Sequence, residues 1–263
     1  MSLLDKTQYA RTQRWYEFYN SGKDLKSLPY HLSWYVMFTK LISDPKFKIT
    51  DDKLKDIIKK NKHIKIFPLP TYVMNAFMMT PANDLKVVFI GQDPYFNYEI
   101  LESKYVPLAM GLSFSVPHGV AIPSSLNNIY DNAIKYKHMK KKPLSGNLWY
   151  WAVQGCLLLN TALTVEDGSK ESHIKLWDWF TNYVIRYISD NMNNIVFVLW
   201  GKYAYGKINL IDIKKHYAIV SSHPSGLSAN KPMLHYPAFM NEDHFGKINK
   251  YLISKGKTPI MWY

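Results

Sequence analysis

The chain contains four short runs that are apolar throughout instead of alternating between apolar and polar residues. They are Val87–Ile90, Cys156–Leu159, Ile195–Trp200 and Tyr217–Val220. Continuous apolar strands are typical of a parallel sheet that is covered on both faces. Amphipathic stretches that predict helices separate or follow these runs: Ser125–His138, Leu148–Gln154, Ile174–Met192 and Phe239–Lys255, the last stopped by Gly256. The pattern predicts an α/β fold with a short, mostly parallel four-stranded central sheet and helices on both faces.

Residues 1–80 have a different pattern and are predicted to form a mainly helical N-terminal portion. Asp51-Asp52 are candidate caps for a helix that runs to Lys60, and Ile64–Pro70 reads as a stop before a helix over Val73–Met79. No repeat and no low-complexity linker interrupts the chain. We therefore expect one domain over residues 1–263.

The charge balance indicates an anionic partner. The 263 residues carry 33 Lys and Arg against 20 Asp and Glu, a formal net charge of +13. Only Arg11, Arg14 and Arg186 are arginines, so lysine supplies the surplus. Lysine suits phosphate contact better than base reading, for which arginine is the better fork. Nucleic acid binding is one interpretation, and a solvated lysine surface is the other.

Composition also excludes several classes of protein. Cys156 is the only cysteine, so a disulfide framework and a cysteine-based zinc site are ruled out. The histidines lack metal-ligand spacing, and we expect neither a metal nor a cofactor. No apolar run approaches the ~20 residues that span a bilayer, and residues 1–20 have no signal-peptide core. We expect a soluble intracellular protein, in cytoplasm or nucleus depending on its source.

Polar side chains follow the predicted strands at the edge where ligands of such sheets bind. Gln92 and Asp93 follow the first strand, Asn160 the second and His223 the fourth. In a parallel sheet these side chains converge on one rim, with Tyr95 and Phe114 as aromatic walls. The set suits a planar polar ring on which charge must be stabilised.

These residues belong to ordered motifs through which the chain resembles the family 1 uracil-DNA glycosylases, from about His31 to Trp262. One such motif is weak evidence, whereas the ordered set is specific. The matching segments are Gly91–Tyr95, Gly111–Val116, Pro123–Tyr130, Gly155–Val165 and His223–Ser228, with a compatible ending at Pro259–Trp262.

The resemblance implies a monofunctional DNA repair enzyme. It would hydrolyse the N-glycosidic bond of a flipped-out deoxyuridine and leave an abasic site, the first step of base excision repair. Asp93 would orient water and stabilise the cationic sugar, and neutral His223 would donate a hydrogen bond to uracil O2. No lysine among the matched site residues is placed to form a Schiff base.

The resemblance also implies how uracil would be recognised. Phe114 would stack on the ring, Asn160 would read the O4 and N3 edge, and Tyr95 would crowd C5 and reject thymine. The Gln92 backbone would support the same pocket.

DNA contact would come from the surrounding loops. Leu227 would fill the vacated stack as an apolar wedge, while Ser124, Ser125 and Ser225 would hold backbone phosphates. The expected substrates are uracil-containing single- and double-stranded DNA. The family also allows a replication or inhibitor protein as partner, and we expect a monomer.

Three departures from the family pattern favour an alternative. Phe96 replaces the usual His, the loop over residues 96–110 is longer and carries Glu99 and Glu102, and Ile208-Asn209 stands where the family usually has a Gly-Ser phosphate pinch. A further departure is Gly226 in place of the usual Pro before the wedge. A non-catalytic DNA-binding or partner-binding protein on the same scaffold is the alternative interpretation.

A phosphate-binding loop is a third interpretation. Gly201–Lys207 follows a predicted strand and has the spacing G-x-x-x-x-G-K, but Ile208 stands where Mg²⁺ binding needs Ser or Thr.

Overall fold

The computed structural model describes residues 14–262, and the expectations about residues 1–13 lie outside the described residues. The helices are α1 (Trp15–Asn20), α2 (Tyr35–Ser43), α3 (Pro45–Lys60), α4 (Asn75–Met79), α5 (Ser124–Lys135), α6 (Trp149–Ala152), α7 (Ile174–Asn191), α8 (Lys202–Tyr205) and α9 (His244–Ser254). The strands are β1 (Ile66–Phe67), β2 (Val87–Gly91), β3 (Tyr98–Leu101), β4 (Lys104–Pro107), β5 (Cys156–Asn160), β6 (Val165–Glu166), β7 (Val196–Trp200) and β8 (Tyr217–Ser221).

The central sheet has the strand order β5-β2-β7-β8. Each neighbouring pair is parallel, so the sheet is wholly and not only mostly parallel. Helices cover it in three α/β/α layers, and the predicted fold class is confirmed. The carboxyl ends of these strands all lie on one edge of the sheet. The polar residues predicted to form the site lie at or just after the ends of β2, β5 and β8 at this edge.

Aromatic rings fill the core on one side of the sheet. The Phe89 ring on β2 lies 5.3 Å from that of Trp200, 6.1 Å from Trp151 and 6.3 Å from Trp262. A second cluster joins Phe38 and Phe77 in the N-terminal portion to Phe180 on α7. One hydrophobic cluster therefore runs from Trp15 to Trp262 and packs the N-terminal helices against the sheet.

The predicted cap at Asp51-Asp52 is wrong. Helix α3 begins earlier, at Pro45, where Asp44 accepts a hydrogen bond from the Lys46 N–H at 2.9 Å. Proline at the first helical position and an acidic N-cap are favourable at a helix start, and this pair decides the boundary. Asp51 is instead buried inside the helix, where it accepts hydrogen bonds from the Tyr19 hydroxyl and the Leu25 N–H.

The closing helix is shorter than predicted. A 3-10 turn over Phe239–Asn241 comes first, and α9 begins at His244. Asp243 caps it by accepting a hydrogen bond from the Gly246 N–H at 2.9 Å. The apolar pattern continues across the turn, so periodicity alone merged two elements.

The long loop over residues 96–110 contains an antiparallel hairpin of β3 and β4 that the sequence analysis did not predict. Glu102 and Ser103 form its turn, both with left-handed backbone conformations. Glu99 on β3 accepts a hydrogen bond from the Ala121 N–H at 3.2 Å. The hairpin thus ties the segment after β2 to the loop that precedes α5.

Within residues 14–262, no helix combines the length and the hydropathy that crossing a membrane requires.

Candidate active site

A cleft of about 240 Å³ opens at the carboxyl ends of β2, β5 and β8. Its walls contain eight of the ten predicted site residues. These are Gln92, Asp93, Tyr95, Phe114, Ser125, Asn160, His223 and Ser225. Ser124 is exposed at the start of α5 beside Ser125, and Leu227 projects into solvent with 84% of its surface exposed. The geometric prediction of a shared rim is therefore confirmed for the cleft residues.

Asn160 reaches the cleft because its neighbour on β2 has no side chain. Gly91 pairs with Asn160 across the parallel ladder. A Cβ atom at Gly91 would collide with Asn160 Oδ1 and would come 2.9 Å from Ser113 Cβ. Glycine at this strand end thus leaves a buried amide in place on the cleft floor.

Asp93 is partly buried, and its carboxylate accepts a main-chain hydrogen bond from the loop after β6. The Glu171 N–H donates a hydrogen bond to Asp93 Oδ2 at 2.8 Å. Burial raises the pKa of the Asp93 carboxyl above its ordinary value, while this hydrogen bond and the nearby Lys170 ammonium oppose the rise. The Glu171 N–H and the Lys170 ammonium thus favour a carboxylate at Asp93 although its side chain is partly shielded from water.

His223 is fixed as a neutral imidazole. The Ser225 N–H donates to His223 Nδ1 at 3.0 Å, which makes Nδ1 the acceptor and leaves the proton on Nε2. Burial, followed by the charge of Lys170, lowers the pKa of His223 to about 4. At neutral pH the ring therefore offers one N–H donor and carries no charge.

The two aromatic walls are joined by a hydrogen bond. The Tyr95 hydroxyl donates to the Phe114 carbonyl oxygen at 3.2 Å, and burial raises the pKa of Tyr95. Phe114 has φ of 64°, a backbone region that non-glycine residues rarely occupy. Its ring lies 6.0 Å from the His223 ring and 5.6 Å from the Trp200 ring. Tyr95 is thus held by a main-chain carbonyl oxygen, and the Phe114 ring is held by its contact with Trp200 in the core.

Lys170 and Glu171 are parts of this site that sequence reasoning missed. Lys170 lines the cleft, and Glu171 contacts Asp93 from the loop that follows β6. The run over residues 168–171 contains glycine and charged residues, which is typical of a solvated turn. Its position at the cleft depends on tertiary structure, and no motif indicates it.

The departure at Phe96 adds an apolar wall. Phe96 lines the cleft and packs against a small cluster of Phe67, Ala109 and Val165. It also links the cleft to the hairpin of β3 and β4, because Tyr98 and Tyr105 pack on the same cluster.

The phosphate-loop interpretation is wrong. Residues 202–205 form helix α8 instead of an open nest. Lys207, the lysine that would reach a phosphate, is largely buried and bonded to Asp178 and to Asn182 Oδ1. In the part of the chain that the structure describes, no group of three or more His, Cys, Asp or Glu residues is placed to hold a metal ion.

The fold and the cleft define a class of protein: a three-layer α/β/α protein with a pocket of polar and aromatic side chains at the carboxyl ends of a parallel sheet. The family model of the uracil DNA glycosylase superfamily matches residues 77–253. The chain therefore belongs to the uracil DNA glycosylase superfamily, as its ordered motifs predict.

Individual relatives agree with this assignment. The chain is 38% identical to a probable uracil-DNA glycosylase of Acanthamoeba polyphaga mimivirus, over 99% of this chain and 72% of that protein. It is 46% identical to a uracil-DNA glycosylase of Campylobacter concisus, over 75% of this chain and 79% of that protein.

Solved structures give the same result. The crystal structure of mimivirus uracil-DNA glycosylase superposes with a TM-score of 0.90 at 38% identity, covering 96% of this chain and 94% of the other. A variant of the mimivirus enzyme in complex with UGI superposes with a TM-score of 0.91 at 38% identity, covering 98% and 97%.

Proposed function

We propose that this chain is a monofunctional uracil-DNA glycosylase in which Asp93 and His223 are the catalytic residues. It hydrolyses the N-glycosidic bond of a flipped-out deoxyuridine and leaves an abasic site, the first step of base excision repair. The observation that carries the proposal is that Asp93, Asn160 and His223, far apart in the sequence, line one cleft.

Asp93 acts on the sugar side of the bond. As the bond breaks, positive charge develops on the deoxyribose, and a nearby carboxylate stabilises it electrostatically. The same carboxylate orients the water that completes hydrolysis. The Glu171 N–H and the Lys170 ammonium favour its ionised form against the effect of burial.

His223 acts on the leaving group. Negative charge builds on uracil O2 in the transition state, and the Nε2–H of a neutral imidazole donates to it. The tautomer needed is the one that Ser225 imposes by donating to Nδ1. Stabilising the leaving base as an anion requires no metal and no cofactor.

Base recognition uses the remaining cleft walls. Phe114 stacks on the uracil, and the Asn160 amide offers both an acceptor and a donor to the N3 and O4 edge. Tyr95 occupies the space beside C5, where a thymine methyl group would lie. The backbone at Gln92 completes the pocket. It is held in place because the Ala162 N–H donates a hydrogen bond to the Gln92 carbonyl oxygen at 3.0 Å.

DNA is held outside the cleft. The exposed Leu227 enters the stack that the base has left, and Ser124, Ser125 and Ser225 contact backbone phosphates. Asn128 braces this arrangement, because its Nδ2 donates to the Pro224 carbonyl at 2.7 Å and ties α5 to the loop that carries Leu227.

The proposal extends to organisation and partners. Residues 1–263 act as one domain and as a monomer on single- and double-stranded DNA. An inhibitor protein is a further partner, since a relative's structure contains UGI. A replication protein is a second proposed partner, and the site of action is intracellular, in cytoplasm or nucleus depending on the source.

The test is cleavage of a uracil-containing single-stranded oligonucleotide, followed by alkali at the abasic site. Wild-type protein should give product, and Asp93→Asn should lower turnover by roughly 100-fold or more while DNA affinity stays near normal. Equal losses of turnover and affinity would contradict the role of Asp93. No product from wild-type protein at micromolar concentration would favour the non-catalytic scaffold, which the apolar Phe96 in the cleft wall motivates.

A further inference from the structure

Glu171 joins three separate parts of the cleft rim. Its main-chain N–H donates to Asp93 Oδ2 at 2.8 Å. Its carboxylate accepts hydrogen bonds from Gln92 Nε2 at 2.7 Å and from the Tyr203 hydroxyl at 2.8 Å. These partners follow β2 and β7, whereas Glu171 lies after β6. One residue thus connects the loops on which the catalytic carboxylate depends.

The backbone of Glu171 is in a conformation that needs support. Its φ is 67°, in the left-handed region, which costs a non-glycine residue free energy unless the surroundings hold it there. The direction of its N–H depends on this conformation. Two hydrogen bonds hold its carboxylate from the outer side, and the Lys170 ammonium lies 3.5 Å from Glu171 Oε1 as an additional ion pair.

We propose that Glu171 is a positioning residue for uracil excision: its carboxylate, held between Gln92 and Tyr203, keeps its own main-chain N–H on the Asp93 carboxylate. This inference rests on the proposed role of Asp93. The inference also assigns a role to Tyr203. This residue lies in the Gly201–Lys207 segment, which does not form the phosphate-binding loop that its spacing suggests. The Gln92 side chain, which points to Glu171, is assigned a role as well.

Glu171 influences Asp93 in two opposite ways, and these can be separated. Its N–H stabilises the ionised carboxyl, whereas its negative charge opposes ionisation. Lys170 favours the ionised form, and the Tyr203 hydroxyl, the Tyr95 hydroxyl and the neutral His223 also lie at this rim. Loss of the charge alone should therefore favour ionised Asp93, and loss of the N–H contact should disfavour it.

The experiment compares Glu171→Ala, Glu171→Gln and Tyr203→Phe in steady-state excision from pH 4 to pH 8. Glu171→Ala removes both anchors, so kcat should fall roughly tenfold with KM for DNA little changed, and the acid limb should move to higher pH. Glu171→Gln keeps polar partners for Gln92 and Tyr203 without the charge, so kcat should stay within about threefold of wild type. Tyr203→Phe removes one anchor and should show a smaller change in the same direction as Glu171→Ala.

Glu166→Ala is the matched control, since it removes a carboxylate whose partner is His173 and not Asp93, at the end of β6 just before the loop that carries Glu171. Its acid limb should coincide with that of wild type. Thermal unfolding of each variant reports whether it folds. If Glu171→Ala does not fold, the inference is tested with Tyr203→Phe instead.

Two results would overturn the inference. One is a wild-type kcat and acid limb in Glu171→Ala or, failing that, in Tyr203→Phe. The other is a loss in Glu171→Gln equal to that in Glu171→Ala, because charge and not anchoring would then be the cause. Asp93→Asn distinguishes failure of the proposed function from failure of this inference. If Asp93→Asn remains active, the proposed catalytic role of Asp93 is wrong. If Asp93→Asn is inactive and Glu171→Ala behaves like wild type, only the positioning role of Glu171 is wrong.

Discussion

Gly91 shows how one missing side chain shapes the cleft. It ends β2 opposite Asn160, and its carbonyl oxygen accepts hydrogen bonds from both the N–H and the hydroxyl of Thr161. The strand end is therefore rigid, and the space above its Cα is filled by the Asn160 amide. A side chain at this position has to displace the Asn160 amide and press on Ser113 Cβ.

Gly91→Ala should damage recognition of uracil more than it damages the fold. The new methyl group displaces the Asn160 amide, so we expect kcat/KM for excision to fall by roughly tenfold to 100-fold. Gly226→Ala is the control for stability, because nothing lies within 4 Å of a Cβ there and its Tm should stay close to that of wild type. Unchanged kcat/KM in Gly91→Ala would show that the amide does not read the base from this position.

The residues that sequence analysis found and missed differ in one physical respect. Asp93, Asn160 and His223 each follow a continuous apolar strand, so the sheet topology places them before any coordinates are known. Lys170 and Glu171 reach the cleft through a turn whose direction depends on two residues with left-handed backbone conformations, Gly168 and Glu171. Hydrophobic periodicity carries no information about such a turn, and its charged residues resemble solvated surface.

At the scale of elements, the strands were predicted more reliably than the helix starts. The apolar runs of β2, β5, β7 and β8 are bounded on both sides by polar residues or glycine. Helix starts depend on competition between several polar residues, and the Asp44-Pro45 pair prevails over Asp51-Asp52 in α3. The hairpin of β3 and β4 was missed because its turn, Glu102-Ser103, lacks the Asn-Gly signal that such turns favour.

That turn leads to a prediction about the hairpin. Glu102 has φ of 49° and Ser103 φ of 61°, the left-handed pair of a two-residue hairpin turn. The double change Glu102→Asn with Ser103→Gly should stabilise the hairpin by about 0.5–1 kcal/mol, because both new residues tolerate this conformation. Slower amide hydrogen exchange at residues 98–107 is the measurement, with Glu102→Ala as the control. Equal exchange rates in the double variant and wild type would contradict the assigned turn.

At the scale of the whole molecule, the interior holds histidines in their neutral form. His244 accepts a hydrogen bond from Trp200 Nε1 at 3.2 Å and donates from Nε2 to the Phe239 carbonyl at 3.0 Å. Burial lowers the pKa of His244 to about 3 and that of His223 to about 4. Burial also lowers the pKa of His216. The aromatic core and the cleft thus share one dependence on pH, through groups that bind a proton more readily in the unfolded chain than in the folded chain.

Stability should therefore rise with pH over the range in which the unfolded chain binds protons that the folded chain does not. For His244 this range extends from about pH 3, its folded pKa, to about pH 6.5, the ordinary value of histidine. Each such group contributes up to about 1.4 kcal/mol per pH unit to the slope of the unfolding free energy, and that stabilisation is lost as pH falls. Urea unfolding of wild type and His244→Gln between pH 4.5 and pH 7 measures the slope, with the exposed His63→Gln as control. The slope should be smaller in His244→Gln and unchanged in His63→Gln, and equal slopes in all three proteins would show that His244 contributes no pH dependence to folding.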